Sequence, residues 1–113
     1  DRAYKETRTD TSSQDLYIST AWQKIRDATI TFYFGIDIYE YFKCGNIKEG
    51  QTVHHIIEVK EDWSKRLDQN NLLYLSEFNH KYIHKQYCYN KKKMQNELFD
   101  MIIRFYMEVR QGV

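Results

Sequence analysis

All four histidines of the chain fall between positions 54 and 84 of its 113 residues. They form an adjacent pair, His54 and His55, and a second pair that is four positions apart, His80 and His84. Imidazole is the commonest metal ligand in proteins, and it is the side chain best suited to proton transfer near neutral pH. Four histidines in one stretch therefore predict a metal site with a general base beside it.

Two strands and a helix would have to position these side chains. Residues 52–59 are rich in β-branched side chains and predict a strand, and residues 72–75 predict a second short strand after a polar loop. From about residue 79 the pattern is helical. Side chains four positions apart lie one turn apart on the same helix face, so His80 and His84 would be neighbours.

The segment before these strands predicts a helix and an extended stretch. Residues 1–14 are polar and unpatterned, which predicts a mobile tail. A helix is predicted over residues 20–34, because apolar side chains recur there at helical spacing and Thr20 can form a capping box with Gln23. Residues 36–42 alternate loosely and predict a short strand or extended segment.

The last part of the chain predicts another helix, over about residues 94–110. Its apolar stripe is formed by Leu98, Met101, Ile102, Phe105 and Val109. The sequence leaves open whether this helix is continuous with the one that carries the histidines. The fold class we predict is α+β, in one small domain over residues 15–113, with a strand–strand–helix core at about 52–92 and helices on both sides.

The composition is typical of a single globular domain, with 42% hydrophobic and 29% charged residues. No window approaches the roughly 18 apolar residues that a membrane span requires, so we expect no membrane partner. Two cysteines, Cys44 and Cys88, are too few for a disulfide framework and predict a reducing compartment, so we expect a cytoplasmic protein. The net charge of +1 identifies no partner, because the positions of the charges decide that.

Three sequence patterns resemble the HNH endonuclease family, whose site is built on a ββα-metal finger. Residues 53–56 read VHHI, residues 66–75 read RLDQNNLLYL, and a histidine follows the second asparagine by nine positions. Upstream, LYISTAWQKIRDATI at residues 16–30 resembles the helix with the pattern FYxSxxWxKxR that precedes the finger in those proteins. The likeness covers about residues 16–85 and is strongest to phage-encoded members.

The resemblance implies a role for each residue of the motif. His54 matches a metal-ligand position, and His55 matches the general base that activates water. Asn71 matches the asparagine that fixes the loop and orients the base. His80 and His84 match two further ligands on the helix. The implied cofactor is one divalent metal ion, which could be Zn, Ni, Mn, Co or Mg, and the implied cellular setting is the cytoplasm of a bacterium or a phage-infected host.

General chemistry agrees with these roles but raises one difficulty. Three neutral imidazoles can hold a divalent ion and leave positions open for phosphate and water. A nearby cation also keeps the base unprotonated. Adjacent strand residues point to opposite faces, however, so His54 and His55 cannot simply converge. Either the chain bends there, or the metal and the attacking water lie on different sides.

One feature of many family members is missing from this sequence. They brace the finger with a structural zinc held by two CxxC pairs. The matching positions here are Tyr41 and Cys44, then Ser76 and Asn79, so three of the four thiolates are gone. We therefore expect no structural CxxC zinc. Cys44 is interpreted as a small buried residue and not as a ligand, and Cys88 has no partner at metal-ligand spacing.

Basic residues predict DNA as the partner. Five lysines and no acidic residue lie between Glu77 and Glu97, on the segment that carries two of the expected ligands. Such a concentration of positive charge can hold phosphates against a metal. The residues expected to contact DNA are Lys81, Lys85, Lys91, Lys92, Lys93 and Arg66. The resemblance to phage proteins also suggests a phage terminase as a partner, although no residue indicates it.

The sequence therefore predicts a metal-dependent HNH endonuclease that hydrolyses DNA phosphodiester bonds. Two alternatives stay open. One is a metal-binding DNA-binding or phage packaging-accessory module with little or no cleavage activity, which a general base at His55 argues against. The other is a zinc-stabilised interaction domain, which usually requires a closed set of four ligands. The target sequence, the physiological metal and the oligomeric state have no signature in the chain.

Overall fold

The computed structural model describes residues 13–111. The helices are α1 at residues 13–18, α2 at Thr20–Phe32, α3 at Ile38–Cys44 and α4 at Glu77–Phe105, and the strands are β1 at Thr52–His55 and β2 at Leu72–Leu75. Two short 3-10 turns, Trp63–Lys65 and Gln69–Asn71, lie in the loop between the strands, and a π-helical turn, Tyr106–Arg110, follows α4. This arrangement confirms the predicted α+β class.

The two strands form an antiparallel hairpin in which His54 pairs with Leu73 and His55 pairs with Leu72. The predicted strand over 52–59 is shorter than expected and ends at His55. Helix α4 follows β2 after one residue, Ser76, whose hydroxyl accepts a hydrogen bond from the Asn79 amide. This N-cap starts the helix two residues earlier than the position near 79 that the sequence indicated.

Helix α4 contains both of the C-terminal helices that the sequence predicted, joined at a kink. Asn90 has non-helical backbone angles, with φ of −154° and ψ of 84°. Its side-chain oxygen accepts a hydrogen bond of 3.1 Å from the Lys93 amide, as an N-cap does. Asn90 therefore ends one helical segment and caps the next without an intervening loop.

The prediction of a strand or extended segment over residues 36–42 is wrong. Only Ile36 makes a β-bridge, to Glu49, and the chain then forms helix α3. Asp37 caps this helix by accepting from the Glu40 amide, and Gly45 ends it in the left-handed conformation with φ of 72°. A side-chain cap at the start and a left-handed glycine at the end thus decide a segment whose apolar pattern is ambiguous.

Helix α2 also differs from the prediction at its two ends. Its N-cap is Ser19, which accepts from the Trp22 amide, and not a capping box begun at Thr20. It ends at Phe32 and not at 34, because Phe34 and Gly35 have positive φ values of 56° and 72°. The predicted mobile tail lies outside the described residues, except that residues 13 and 14 are helical.

The hairpin separates two apolar clusters. The larger cluster includes Leu73, Leu75, Ile83 and Leu98 and lies between the hairpin and α4. The smaller cluster lies on the other side of the hairpin and comprises Leu16, Trp22, Val53, Val59 and Leu72. Strand residues alternate between these two sides. His54, which pairs with Leu73, is therefore on the α4 side, and His55 is on the α2 side.

Among residues 13–111, no helix combines the length and the apolar character needed to cross a membrane.

Candidate metal centre

Three of the four histidines meet at one point between the hairpin and α4. His54 comes from β1, and His80 and His84 come from successive turns of α4. One ligand atom from each of the three lies within 4.8 Å of the other two. The ring centroids of His54 are 5.2 Å from His80 and 5.3 Å from His84, while the Nε2 atoms of His80 and His84 are 2.9 Å apart. The sequence-predicted ligands are thus brought together.

The three rings are graded in burial from the protein interior towards solvent. His54 is buried, His80 is half-buried and His84 is exposed. A site with this arrangement has protein ligands on one side and an open side that faces solution. The donor set fits a borderline divalent ion such as Zn, Ni or Co, since imidazole nitrogens suit these ions and three of them leave coordination positions free.

The imidazoles of His54 and His80 are held in the neutral form that binds metals. Burial lowers the pKa of His54 well below its usual value, and the nearby His80 and His84 lower it further. Burial, followed by the proximity of His84, also lowers the pKa of His80. A neutral ring keeps a lone pair on one nitrogen, so the fold prepares these side chains as ligands before any ion is bound.

In the metal-free protein, the free energy of unfolding is expected to fall as the pH drops below about 6.5, the usual pKa of an unfolded histidine. The folded-state pKa values of His54 and His80 are lowered, so the unfolded chain binds more protons in the window between the folded values and about 6.5. Stability therefore rises with pH across that window and is lost towards acid. Thermal unfolding in the presence of chelator, from about pH 7 down to about pH 5.5, measures this slope.

The matched variant for that experiment is His54→Gln, which removes the most strongly shifted group and should flatten the slope. A melting temperature that stayed constant or rose towards acid in the unmodified protein would mean that the folded imidazoles are already charged, contrary to their burial.

His55 lies on the opposite side of β1, against α2. Its Nε2 is 2.9 Å from the carbonyl oxygen of Arg66, and its ring stacks on Trp22 with centroids 5.0 Å apart and planes 21° apart. A carbonyl can only accept, so Nε2 carries the proton and Nδ1 keeps the lone pair of the neutral ring. Burial lowers the pKa of His55, and the bond to Arg66 opposes this. The base candidate is therefore oriented and neutral.

The alternation of β1 does not prevent His54 and His55 from acting at one place. All four histidines line a single cavity of about 550 Å³. The strand ends at His55, so the cavity extends around its last residue from the α4 side to the α2 side. Although His54 and His55 point to opposite faces of β1, both side chains therefore line the same cavity.

Asn71 holds the loop that carries the acceptor for His55. Its side-chain oxygen accepts from the Ile57 amide at 2.7 Å, and its Nδ2 donates to the carbonyls of Ile57 at 3.0 Å and Lys65 at 3.2 Å. Lys65 directly precedes Arg66, whose carbonyl is bonded to the His55 ring. Asn71 is only 2% exposed, so its bonds fix the loop from inside. Its side chain makes no hydrogen bond to His55.

The basic residues expected to contact DNA are not part of the cavity lining. Lys91 forms ion pairs with Glu58 at 2.9 Å and Glu61 at 3.7 Å, and Lys81 pairs with Glu77 at 3.1 Å. The Arg66 guanidinium lies over the Trp63 ring and donates to the Trp63 carbonyl. Lys85, Lys92 and Lys93 are exposed on α4. Of the lysines expected to contact DNA, Lys81 and Lys91 are thus paired with carboxylates, and the other three are solvated.

Two basic residues that the sequence analysis did not select do line the cavity, Arg26 of α2 and Lys60 of the loop after β1. Arg26 follows Trp22 by one helical turn, so both lie on the same face of α2. Trp22 stacks on His55, which places that face against the cavity. The signal was present in the motif WQKIR, where the spacing of tryptophan and arginine matches one turn of a helix.

Of the four positions matching a structural zinc, Ser76 and Asn79 are tied to α3 and its N-cap by other contacts, while Cys44 is exposed and not buried as expected. Asp37, which is fully buried, accepts from the Ser76 amide and from the Asn79 side chain, each at 2.8 Å. The same Asn79 amide also donates to Glu40 at 3.0 Å. We call Asp37, Glu40, Ser76 and Asn79 the carboxylate clasp. It joins the start of α3 to the start of α4, one turn before His80.

Comparisons with known proteins gave one informative structural match. No protein-family model matches the chain, and no curated protein matches it in sequence. Among solved structures, the chain is similar to the crystal structure of the HNH endonuclease of the deep-sea thermophilic bacteriophage GVE2, determined with manganese ion. The TM-score is 0.69 and the identity 26%, covering 82% of this chain and 97% of that one. The motif, the ββα core and this match together support the resemblance to the HNH endonucleases, whose fold this chain shares.

Proposed function

We propose that this protein is a metal-dependent endonuclease that hydrolyses DNA phosphodiester bonds. The observation that carries the proposal is that the three-histidine cluster and the oriented, neutral His55 line the same cavity. The likeness to a phage HNH endonuclease determined with manganese ion supports the same reaction class. Such an enzyme would act in the cytoplasm of a bacterium or of a phage-infected host.

The chemistry proposed for each residue follows from its contacts. A divalent ion held by His54, His80 and His84 would supply positive charge to the phosphate oxygens. His55 takes a proton from water at its free Nδ1 while Nε2 stays bonded to the Arg66 carbonyl. The water oxygen forms a bond to phosphorus, the bond from phosphorus to the leaving oxygen breaks, and that oxygen receives a proton from solvent. Asn71 acts indirectly, by fixing the loop.

DNA is proposed to enter the cavity along a basic path. Arg26 and Lys60 line the cavity and are placed to bind phosphates next to the bond that is cut. Lys85, Lys92 and Lys93 are exposed on α4 and, together with Arg66, would contact phosphates further along the strand. Arg26, Lys81 and Lys91 would first have to leave their carboxylate partners.

A second candidate is a metal-binding, DNA-binding accessory module with little cleavage, of the kind that could assist a phage terminase. The observation that favours this candidate is the burial of His55, which is only 8% exposed because the Trp22 ring stacks on it. A ring packed in this way could serve the fold alone. The two candidates differ in one property, catalytic turnover.

Nicking of supercoiled plasmid, with and without chelator, separates them. We expect nicking with added divalent metal and none with chelator. Binding of a duplex without nicking at any metal concentration would favour the accessory module and contradict the proposal. The matched control is Asn96→Ala, an exposed position of α4 outside the site, which should behave as the unmodified protein.

The metal series is expected to separate binding from turnover. Three imidazoles favour borderline ions, whereas Mg²⁺ prefers oxygen ligands. We expect Zn²⁺ to bind tightly, and Ni²⁺, Mn²⁺ or Co²⁺ to support cleavage at least as well as Zn²⁺. His84→Ala should weaken binding of these ions, because only His54 and His80 would remain. Cleavage rates and metal titrations of both proteins provide the measurement; activity with Mg²⁺ alone, unchanged in His84→Ala, would contradict a three-histidine site.

A further inference from the structure

The buried hydroxyl of Tyr87 touches the innermost histidine of the metal centre. Tyr87 lies on α4, is 8% exposed, and packs its ring at 61° against His54 with centroids 5.6 Å apart. Its oxygen is 3.0 Å from Nε2 of His54 and 2.7 Å from the carbonyl oxygen of Ile56.

The direction of the two hydrogen bonds follows from the groups involved. A phenol has one proton to donate, and the Ile56 carbonyl can only accept. The Tyr87 proton is therefore directed to Ile56, and the contact with His54 must be donated by Nε2–H to the phenol oxygen. A neutral imidazole with its proton on Nε2 has its lone pair on Nδ1. That lone pair is what a metal ion needs.

A network on the second half of α4 fixes this arrangement. Gln95 donates from its Nε2 to the Ile56 carbonyl at 2.9 Å and to a Glu61 oxygen at 3.0 Å. Lys91 pairs with Glu58 at 2.9 Å, on the same loop. Tyr87 precedes the kink at Asn90, whereas Lys91 and Gln95 follow it. Both halves of the helix thus contact the chain just after β1 and hold the Ile56 carbonyl in place.

We propose that Tyr87 is a positioning residue of the metal site, which by accepting from Nε2–H of His54 selects Nδ1 as the atom that binds the divalent ion. This inference rests on the proposed metal site and adds to it the binding atom and the residue that determines it. A hydrogen bond to the second nitrogen of a ligating histidine fixes the tautomer and the ring orientation, and its loss typically weakens metal affinity by about 10–100-fold.

The test uses the whole chain labelled with ¹⁵N in its histidines, without metal and then loaded with Zn²⁺. In the metal-free protein, we expect the His54 signals of an imidazole protonated at Nε2. On loading, we expect the Zn²⁺ shift at Nδ1 of His54. Tyr87→Phe should lose the single tautomer in the metal-free state and raise the Kd for Zn²⁺ by about 10–100-fold. Tyr89→Phe, at an exposed tyrosine of the same helix, is the matched control and should change neither.

The outcomes distinguish this inference from the proposed function. Binding of Zn²⁺ through Nε2 of His54, or a Tyr87→Phe variant with unchanged tautomer and Kd, would overturn the role of Tyr87 and leave the nuclease proposal standing. Failure of the unmodified protein to bind Zn²⁺ at any of the three histidines would overturn both. The tautomer and the binding atom are measured on the unmodified protein, so they decide the question even where Tyr87→Phe does not fold.

Discussion

His55→Ala is expected to reduce DNA cleavage by about 10²–10⁴-fold, the usual effect of removing a general base, while divalent metal still binds. The reason is the separation of the two sides of β1. The three metal-ligand candidates meet on the α4 side, whereas His55 lies on the α2 side, bonded to Arg66 and stacked on Trp22. Plasmid nicking and a metal titration on the same preparation measure the two effects separately.

His80→Ala is the matched comparison, because it should lose metal affinity as well as cleavage. Added free imidazole offers a further check, since it can occupy the space left under Trp22 and restore part of the activity of His55→Ala. Cleavage by His55→Ala at the unmodified rate would remove the base assignment. Loss of metal binding in that variant would instead make His55 part of the ligand set.

Asp37→Ala is expected to destabilise the fold by roughly 3 kcal/mol or more, at about 1–3 kcal/mol for each of three donors left without an acceptor. Its carboxylate accepts from the Glu40 amide at 3.0 Å, and from the Ser76 amide and the Asn79 side chain at 2.8 Å. Because small domains are stable by about 5–15 kcal/mol, this is a large fraction of the total. Thermal and denaturant unfolding should show a loss of roughly 10 °C or more in Tm.

The control for Asp37→Ala is Asp100→Ala, which removes an exposed carboxylate of α4 and should leave the stability nearly unchanged.

Elemental analysis of the unmodified protein is expected to find one divalent ion per chain. A content of two ions, with Cys44 protected from thiol reagents, would indicate that a second metal and not the carboxylate clasp joins α3 to α4. An Asp37→Ala protein as stable as the unmodified one would contradict the clasp directly.

The histidine cluster and the hairpin could be predicted because their signals are local. The spacing of His80 and His84 determines that they share a helix face, and the β-branched run around His54 determines a strand. The resemblance to the HNH motif then relates the strand to the helix.

Helix α3 was missed although its local signals were present. Asp37 followed three positions later by Glu40, with Gly45 at the end, is a typical cap–helix–stop pattern. The apolar residues between them also fit a strand, and in a segment of seven residues the periodicity cannot distinguish the two. The two caps are therefore the better guide to the structure of this segment.

Other features depend on contacts that no sequence pattern reports. The acceptor that orients His55 is a backbone carbonyl, at Arg66, and every residue has one. The kink at Asn90 allows both halves of α4 to contact the loop after β1, which is a property of packing. Arg26 and Lys60 belong to the cavity only because α2 packs against β1. These contacts can be identified only from the folded structure.

The alternation of β1 makes the length of this strand a functional constraint. A shift of one residue in a strand exchanges its two faces. Inserting or deleting one residue before His54 would turn His55 towards His80 and His84 and turn His54 under Trp22, with every side chain still present in the chain. Lineages of this protein could therefore exchange individual residues around the centre far more readily than they could change the number of residues in its first strand.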